Sequence, residues 1–369
     1  MKALSLLIKP ASGNCNMRCR YCFYSDVADI RETGNLGIMS REVLETVVRK
    51  ALSETSQYCV FGFQGGEPTL AGLDFYKRLI ELEKKYNINN VRITNTIQTN
   101  GSLIDDEWAE FFSQNNFLLG LSIDANKQVH DELRFDAAGK GTHNACLKAA
   151  RLLRRHKVEF NILSVVTRYL AAHPDSVFRF YKQNDFRYIQ FIPCLDGLKE
   201  QRGSRGYSLD PKSFSNFLCR TFDLWYEDYS KDDYYSIRSF DNYIHILAGR
   251  HAENCAMNGS CTVNALIEAN GDVYPCDFYA IDEHLLGNVK DFGFAQMFTS
   301  EKGQSFVELS LHVDPRCKDC EYYFICRGGC RRDREPVVEG RLSRNYYCES
   351  YKAFFQHALP RMLAIAKRL

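Results

Sequence analysis

The chain has 369 residues, more than one simple core usually holds, so a large domain with an appendage is expected. Lys and Arg number 47 against 46 Asp and Glu, and the resulting formal charge of +1 points to neither a nucleic acid nor an anionic membrane as partner. With 45% hydrophobic, 25% charged and 13% aromatic residues, the composition excludes a disordered or fibrous protein. No apolar run approaches the roughly eighteen residues of a membrane helix. Lys9 and Pro10 break the apolar start too early for a signal peptide, so a cytoplasmic protein is expected.

Up to about Pro193, short apolar runs alternate with amphipathic segments. The runs are Leu4–Ile8, Cys59–Phe63, Val91–Ile97, Phe117–Ile123, Phe160–Val166 and Tyr188–Ile192, each of strand length. After Ser40, an N-cap candidate, Val43, Leu44, Val47, Val48, Ala51 and Leu52 recur at helical spacing. Asp105, Asp106 and Glu107 open another helix, with acidic residues at the positive end of the dipole. Six strand–helix repeats predict parallel strands joined by right-handed crossovers. Six are too few for a closed eightfold barrel, so the predicted fold class is α/β: a partial (β/α)6 barrel with its chemistry at the carboxyl ends of the strands.

The short motifs fall at those ends. Cys15-Asn-Met-Arg-Cys-Arg-Tyr-Cys22 follows the first run and Gln64-Gly-Gly-Glu-Pro68 the second. Thr99-Asn-Gly101 follows the third, Ser122-Ile-Asp124 ends the fourth, and Leu195 lies just past the sixth. Beyond them, Gly197 to Tyr207 reads as a loop and Pro211 to about Tyr229 as an aromatic-rich helix. Asn264–Glu268 and Asp272–Tyr274 flank Asn270-Gly271 as a hairpin, and Tyr351 to Leu369 has helical spacing.

Fifteen cysteines, an odd count in a long chain, fit a disulfide scaffold poorly. Cys59, Cys146, Cys194 and Cys219 are scattered and read as ordinary buried residues. The other eleven cluster, which in a reducing compartment points to metal. Cys15-x3-Cys19-x2-Cys22 offers three thiolates with no fourth Cys or His in the same loop. Structural zinc wants four ligands, whereas a [4Fe–4S] cluster held by three thiolates leaves one iron open to a small molecule. The rear set is Cys255, Cys261, Cys276, Cys317, Cys320, Cys326, Cys330 and Cys348, and an all-cysteine set by itself leaves zinc and iron both open. Arg327, Arg331, Arg332 and Arg334 surround Cys330 and read equally as a screen for an anionic cluster or as a solvated basic turn.

The front motif, with aromatic Tyr21 before its last cysteine, resembles the signature of the radical S-adenosylmethionine (SAM) superfamily. That resemblance implies that the open iron chelates SAM and that Gly65, Gly66 and Glu67 form the loop receiving its amino group. A Gly-Gly turn exposes backbone to a ligand, and a carboxylate pairs with an ammonium. It further implies that Ser122 contacts the ribose, Arg134 the SAM carboxylate and Leu195 the adenine. The rear cysteines resemble the SPASM extension of such enzymes, which carries two auxiliary [4Fe–4S] clusters. By that resemblance Cys255, Cys261, Cys276 and Cys330 hold one cluster, and Cys317, Cys320, Cys326 and Cys348 the other. The domains implied are a barrel with linker helix over 1–233, a SPASM-like domain over 234–348 and a terminal helix over 349–369.

Most of the chain is similar to the anaerobic sulfatase-maturating enzymes. The matching segments are Leu7-Ile-Lys-Pro-Ala-Ser12, Cys22-Phe-Tyr24, Phe63-Gln-Gly-Gly-Glu-Pro-Thr69, Gln98-Thr-Asn-Gly101, Tyr274-Pro-Cys-Asp-Phe-Tyr279 and Tyr346-Tyr-Cys348. Ala125, after Ser122-Ile-Asp124, departs from the small turn residue usual there. The family oxidises a Cys or Ser in a sulfatase Cys/Ser-x-Pro/Ala-x-Arg motif to Cα-formylglycine, using three [4Fe–4S] clusters and SAM. The resemblance makes Asp277 the base and puts Tyr24 and Gln64 near the substrate. It implies an unfolded or nascent sulfatase polypeptide as partner and a flavodoxin- or ferredoxin-like electron donor. The alternatives are a SPASM enzyme forming thioether or carbon–carbon crosslinks and a non-catalytic cluster- or zinc-bearing binding protein. Many crosslinking enzymes carry an N-terminal leader-binding domain, for which a first strand at about residue 3 is expected to leave no room.

Overall fold

Local capping chemistry starts the helices where the sequence places them. Ser40 Oγ accepts the Val43 N–H at 3.2 Å and opens the helix Arg41–Glu54. Asp105 Oδ1 accepts the Trp108 N–H at 3.0 Å and opens Asp106–Gln114. Asp210 does the same for Ser213 at 2.9 Å, with Pro211 in the first turn of the helix Pro211–Tyr229. The computed structural model describes residues 1–369.

The strands used below are, in chain order, β1 (Ala3–Ile8), β2 (Tyr58–Phe63), β3 (Arg92–Thr99), β4 (Leu118–Ser122), β5 (Phe160–Val166) and β6 (Tyr188–Pro193). They are followed by β7 (Ser236–Ile237), β8 (Leu266–Ile267), β9 (Asp272–Tyr274) and β10 (Gly287–Asn288). The first six lie on the six apolar runs, within a residue or two at each end. The chain forms two compact units, one of residues 1–123, 130–160 and 263–305, the other of 124–129, 161–262 and 306–369.

In the first unit β1 pairs parallel with β2, β2 with β3, and β3 with β4. The connecting helices Arg41–Glu54, Leu73–Tyr86 and Asp106–Gln114 bury Val47, Leu79 and Phe112 completely. Tyr76 anchors an aromatic cluster, with ring centroids 5.1 Å from Phe63, 5.5 Å from Trp108 and 6.2 Å from Phe117. Each such side chain contributes roughly 1.5–3 kcal/mol through removal of apolar surface from water. On the other edge of β1, Leu7 and Ile8 pair parallel with Leu266 and Ile267 of β8. Strand β9 returns antiparallel through Asn270-Gly271, where Gly271 takes φ +95°, and β10 adds to β9. The first strand of this hairpin is shorter than the predicted Asn264–Glu268. Ala265 adopts φ +42°, a left-handed conformation that strand pairing cannot use. The compact units therefore do not follow chain order, since 263–305 returns to the first.

In the second unit β5 and β6 pair parallel and β7 adds to β6. The helix Pro211–Tyr229 meets the terminal helix through Phe222 and Phe354, with centroids 5.7 Å apart. That terminal helix runs Cys348–Ala366, starting three residues before the predicted Tyr351. Between β6 and Pro211, Asp196 organises the loop by accepting the Gly203 N–H at 2.9 Å and the Ser208 hydroxyl.

Candidate active site

The front cysteine loop leaves β1 and is pinned by backbone hydrogen bonds. Arg18 N–H donates to Phe135 O at 2.7 Å and Arg20 N–H to Leu133 O at 3.0 Å. Cys22 caps the helix Phe23–Ile30. Cys15, Cys19 and Cys22 are half-buried, and Met17 N–H points at Cys15 Sγ from 3.4 Å. Burial pushes the Cys15 thiol up to about 11 against that amide, and Glu67, Cys19 and Cys22 act on it in the same direction as burial. The three thiols therefore share one local field. No three His, Cys, Asp or Glu side chains converge on a single ion-sized point. Thiolates on a four-iron cube need not converge, because each binds a different iron.

The Gly-Gly loop after β2 docks directly on the cysteine loop. Gly66 N–H donates to Ser12 O at 3.1 Å and Glu67 N–H to Asn14 O at 2.7 Å. A Cβ on Gly66 would lie 1.9 Å from Asn14 O, so no other residue fits this approach. Gly65 has φ +118°. The Glu67 side chain turns inward and is 1% exposed. Its Oε1 accepts from Thr69 N at 3.1 Å, Thr69 Oγ1 at 2.5 Å and Thr99 Oγ1 at 2.7 Å, while Oε2 accepts Asn100 N at 2.8 Å. Burial raises this carboxyl and the four donors oppose the rise. The carboxylate ties the Gly-Gly loop to the end of β3, a role the sequence reading did not foresee.

Ser122 ends β4 and is half-buried. Arg134 and Tyr21 are brought together, with Arg134 NH1 donating to Tyr21 Oη at 2.9 Å. Leu195 belongs to the second unit, two residues after β6.

Asp277 directly follows Cys276, just beyond β9. Two donors converge on its Oδ2: Tyr24 Oη at 3.4 Å and Gln64 Nε2 at 3.3 Å. Its Oδ1 accepts Phe278 N–H at 3.1 Å and lies 3.3 Å from Cys276 Sγ. Burial raises the Asp277 carboxyl, opposed by hydrogen bonds from Cys276, the Phe278 amide and Tyr24, and burial with the Asp277 charge pushes the Tyr24 phenol well up. Tyr24 thus keeps its hydroxyl hydrogen and donates a hydrogen bond to Asp277. Phe23 packs edge-on against Phe278 at 4.9 Å, bracing the same contact. The pairing of β8 with β1 is what brings this carboxylate beside residues 24 and 64.

Sequence reasoning missed a buried ionic group beneath these residues. Lys9 Nζ and Arg31 NH1 each lie 2.5 Å from Glu268 Oε1, and all three side chains are nearly inaccessible. Burial alone would raise the Glu268 carboxyl, but Lys9 and Arg31 hold it below its ordinary value. The available signal was a lone charge closing each of two apolar runs, Leu7-Ile-Lys9 and Leu266-Ile-Glu268.

In the second unit, burial pushes the Cys330 thiol well up, and Asp333, Cys255 and Cys261 add to the rise. Cys326 is pushed up to about 11 by burial, with added repulsion from Cys348, Cys317 and Cys320. The rear thiols thus interact in two groups. Cys276, in the first unit, is half-buried. Arg331, Arg332 and Arg334 are buried and form no solvated turn. They donate to the backbone carbonyls of Phe306 at 3.0 Å, Asp196 at 2.5 Å and Ser310 at 2.9 Å, and Arg202 pairs with Asp333 at 2.8 Å. These carbonyl partners fix the segment that follows Cys330, whose Sγ accepts the Arg332 backbone N–H at 3.4 Å. Of the four scattered cysteines, Cys59, Cys146 and Cys194 are buried and Cys219 is half-buried.

The family model of the radical SAM superfamily matches residues 10–174, and that of the SPASM iron–sulfur cluster-binding domain matches residues 255–321. The whole chain is 46% identical to a cysteine-type anaerobic sulfatase-maturating enzyme of Clostridium novyi, over 99% of that protein. It is 34% identical to a serine-type anaerobic sulfatase-maturating enzyme of Bacteroides thetaiotaomicron, over 100% of this chain and 92% of that one. A solved structure of native anSMEcpe with bound AdoMet and Kp18Cys peptide is similar at a TM-score of 0.96 and 46% identity, with both chains covered completely.

Proposed function

The chain belongs to the anaerobic sulfatase-maturating enzymes, and from that premise we propose which of its residues carry the chemistry. Its fold is the α/β partial (β/α)6 barrel of the radical SAM type with a C-terminal cysteine-rich SPASM domain. It is a radical SAM oxidoreductase that binds [4Fe–4S] clusters and SAM and activates sulfatases by making Cα-formylglycine. The substrate residue is a cysteine in a Cys-x-Pro/Ala-x-Arg motif, supported by 46% identity to a cysteine-type relative against 34% to a serine-type one.

Cys15, Cys19 and Cys22 hold the front cluster; the two thiol groups of the rear region, with Cys276 added to the Cys255, Cys261 and Cys330 group, hold the auxiliary ones. When bound, the reduced front cluster would give one electron to SAM, releasing methionine and supplying a 5′-deoxyadenosyl radical to take a hydrogen atom from the substrate Cβ, and the auxiliary clusters would supply a sink for the second electron. The backbone of Gly65 and Gly66 receives the SAM amino group while Glu67 locks the loop, and Tyr21, Ser122, Arg134 and Leu195 complete the SAM contacts.

Asp277 Oδ2 takes the thiol proton of the substrate cysteine, which leaves a thioaldehyde that water converts to formylglycine and hydrogen sulfide. Tyr24 and Gln64 aim that oxygen. The convergence of these two donors on Asp277 Oδ2 is the observation that carries the reading. A carboxylate beside Cys276 loses no reach to the electron sink, since both sit on consecutive residues.

The sulfatase partner is an unfolded or nascent polypeptide, and electrons come from a flavodoxin- or ferredoxin-like donor. No helix is long and apolar enough to cross a membrane. None of the fifteen cysteines is in a disulfide, which supports a cytoplasmic setting. The test is an anaerobic reaction with SAM, dithionite and a peptide containing Cys-x-Pro-x-Arg. Mass loss at the cysteine equal to conversion to the aldehyde is the expected result. A thioether product would reassign the enzyme to peptide crosslinking.

A further inference from the structure

Lys9 follows β1 directly and is 1% exposed. Its stem runs against the Gly-Gly loop: a Cβ built on Gly65 would meet Lys9 Cγ at 2.7 Å and Cε at 2.9 Å. Its ammonium lies 5.5 Å from the centroid of the Tyr24 ring, within the range where an aromatic face attracts a cation. The same ammonium pairs with Glu268, which leaves β8 of the hairpin that leads to Cys276 and Asp277. Arg31 shares Glu268 and also reaches Tyr274 Oη at 3.2 Å, tying the far strand of the hairpin to the group. One side chain therefore touches the Gly-Gly loop, the tyrosine that aims the base, and the hairpin that carries the base.

Holding three loops together by apolar packing alone would leave the ring of Tyr24 free to tilt. A fixed cation on its face gives the ring one preferred orientation, with the hydroxyl toward Asp277. We propose that Lys9 is a positioning residue for formylglycine formation, setting the Tyr24 ring and the Gly65 loop relative to each other so that one substrate pose serves both hydrogen abstraction and deprotonation. The proposal rests on the reading of Asp277 as proton acceptor.

Lys9→Met keeps the stem, removes the ammonium and leaves Arg31 and Glu268 as a neutral pair. The measurements are formylglycine formed per 5′-deoxyadenosine at saturating peptide, kcat and KM for a Cys-x-Pro-x-Arg peptide, and iron per chain. With iron at the wild-type level, the ratio is expected to fall about tenfold, with the loss in kcat more than in KM, as misplacement of reacting groups produces. A wild-type ratio overturns the proposal. If Lys9→Met loses iron, Lys9→Met/Glu268→Gln, which keeps the single net positive charge on Arg31, decides by the same ratio. Loss of iron from both variants also overturns it, because the ionic group then serves the fold alone. Failure of the Asp277 reading is seen separately, as a wild-type ratio in Asp277→Asn whatever Lys9→Met does.

Discussion

The front loop, Cys15–Cys22, and the rear cysteines, Cys317, Cys320, Cys326 and Cys348, present the same ligand atom in different electrostatic settings. Beside Cys15 the nearest fixed charge of note is the Glu67 carboxylate, which adds to the effect of burial. Beside the rear thiols, burial raises Cys317 and Cys348; Arg316 pulls against it at the first and Arg344 with Lys352 at the second, while the Asp314 and Glu349 carboxylates act in the same direction as burial. Negative surroundings lower a cluster's reduction potential and positive surroundings raise it. In the proposed assignment the front cluster is the stronger reductant, as SAM cleavage demands, and the rear one is an onward acceptor beyond the Cys276 cluster. In that assignment cysteine spacing marks where clusters are held, and the cations beside Cys317 and Cys348 favour electron flow away from the front cluster.

Removing one side of the comparison gives the largest effect. Replacing Cys15, Cys19 and Cys22 by Ala abolishes 5′-deoxyadenosine formation, while about eight of about twelve irons per chain remain, read by anaerobic product chromatography and iron analysis. Wild-type 5′-deoxyadenosine from this variant would sink the front assignment. Next is Asp277→Asn, which keeps the side-chain shape without the proton acceptor. The ratio of formylglycine to 5′-deoxyadenosine falls by about two orders of magnitude, and an unchanged ratio would make Asp277 a structural turn residue.

A smaller change sharpens the electrostatic contrast. Arg344→Gln with Lys352→Gln lowers the potential of the rear cluster by on the order of tens of millivolts without moving the front one, measured by anaerobic redox titration with electron paramagnetic resonance. A rear potential equal to wild type would show these charges to be mere solvated neighbours.

The smallest effect concerns a titration to be separated from the cysteines. Glu83 is buried, accepts Asn95 Nδ2 at 3.2 Å, and burial pushes it up to about 7 from an ordinary 4.5. Between those values the folded chain keeps a proton that the unfolded chain releases, so this group's contribution falls as pH rises toward 7 and is fully lost above it. Glu83→Gln is therefore more stable than wild type at pH 8, and its advantage grows by about 1 kcal/mol between pH 6 and pH 8. Parallel melting curves of the two proteins across that range would assign the titration elsewhere.

The candidate site was legible to the extent that its signals are local. Cysteine spacing, the Gly-Gly loop and the Asp277 segment are each readable within a few residues, and their identification leaned on family resemblance for roles. Glu67 shows where that stopped. A carboxylate in a glycine loop suggests a ligand for an ammonium, yet Thr69, Thr99 and Asn100 occupy it. Arg331, Arg332 and Arg334 show the converse, since a run of arginines reads as solvated until its carbonyl partners are known.

Ser40 and Asp105 determined their helix starts within the sequence itself, because a cap acts on an amide three residues ahead. The apolar runs likewise determined β1 to β6, because strand length and side-chain burial are written in consecutive residues. The tertiary structure alone decided that β8 lies beside β1, and with it that Asp277 meets Tyr24 and Gln64 and that Lys9 meets Glu268, 259 residues away in sequence. Pairing over such a separation leaves no local signal. It depends on which edge of the sheet remains open after the nearer strands have paired, and on whether a charge taken out of water finds its opposite there.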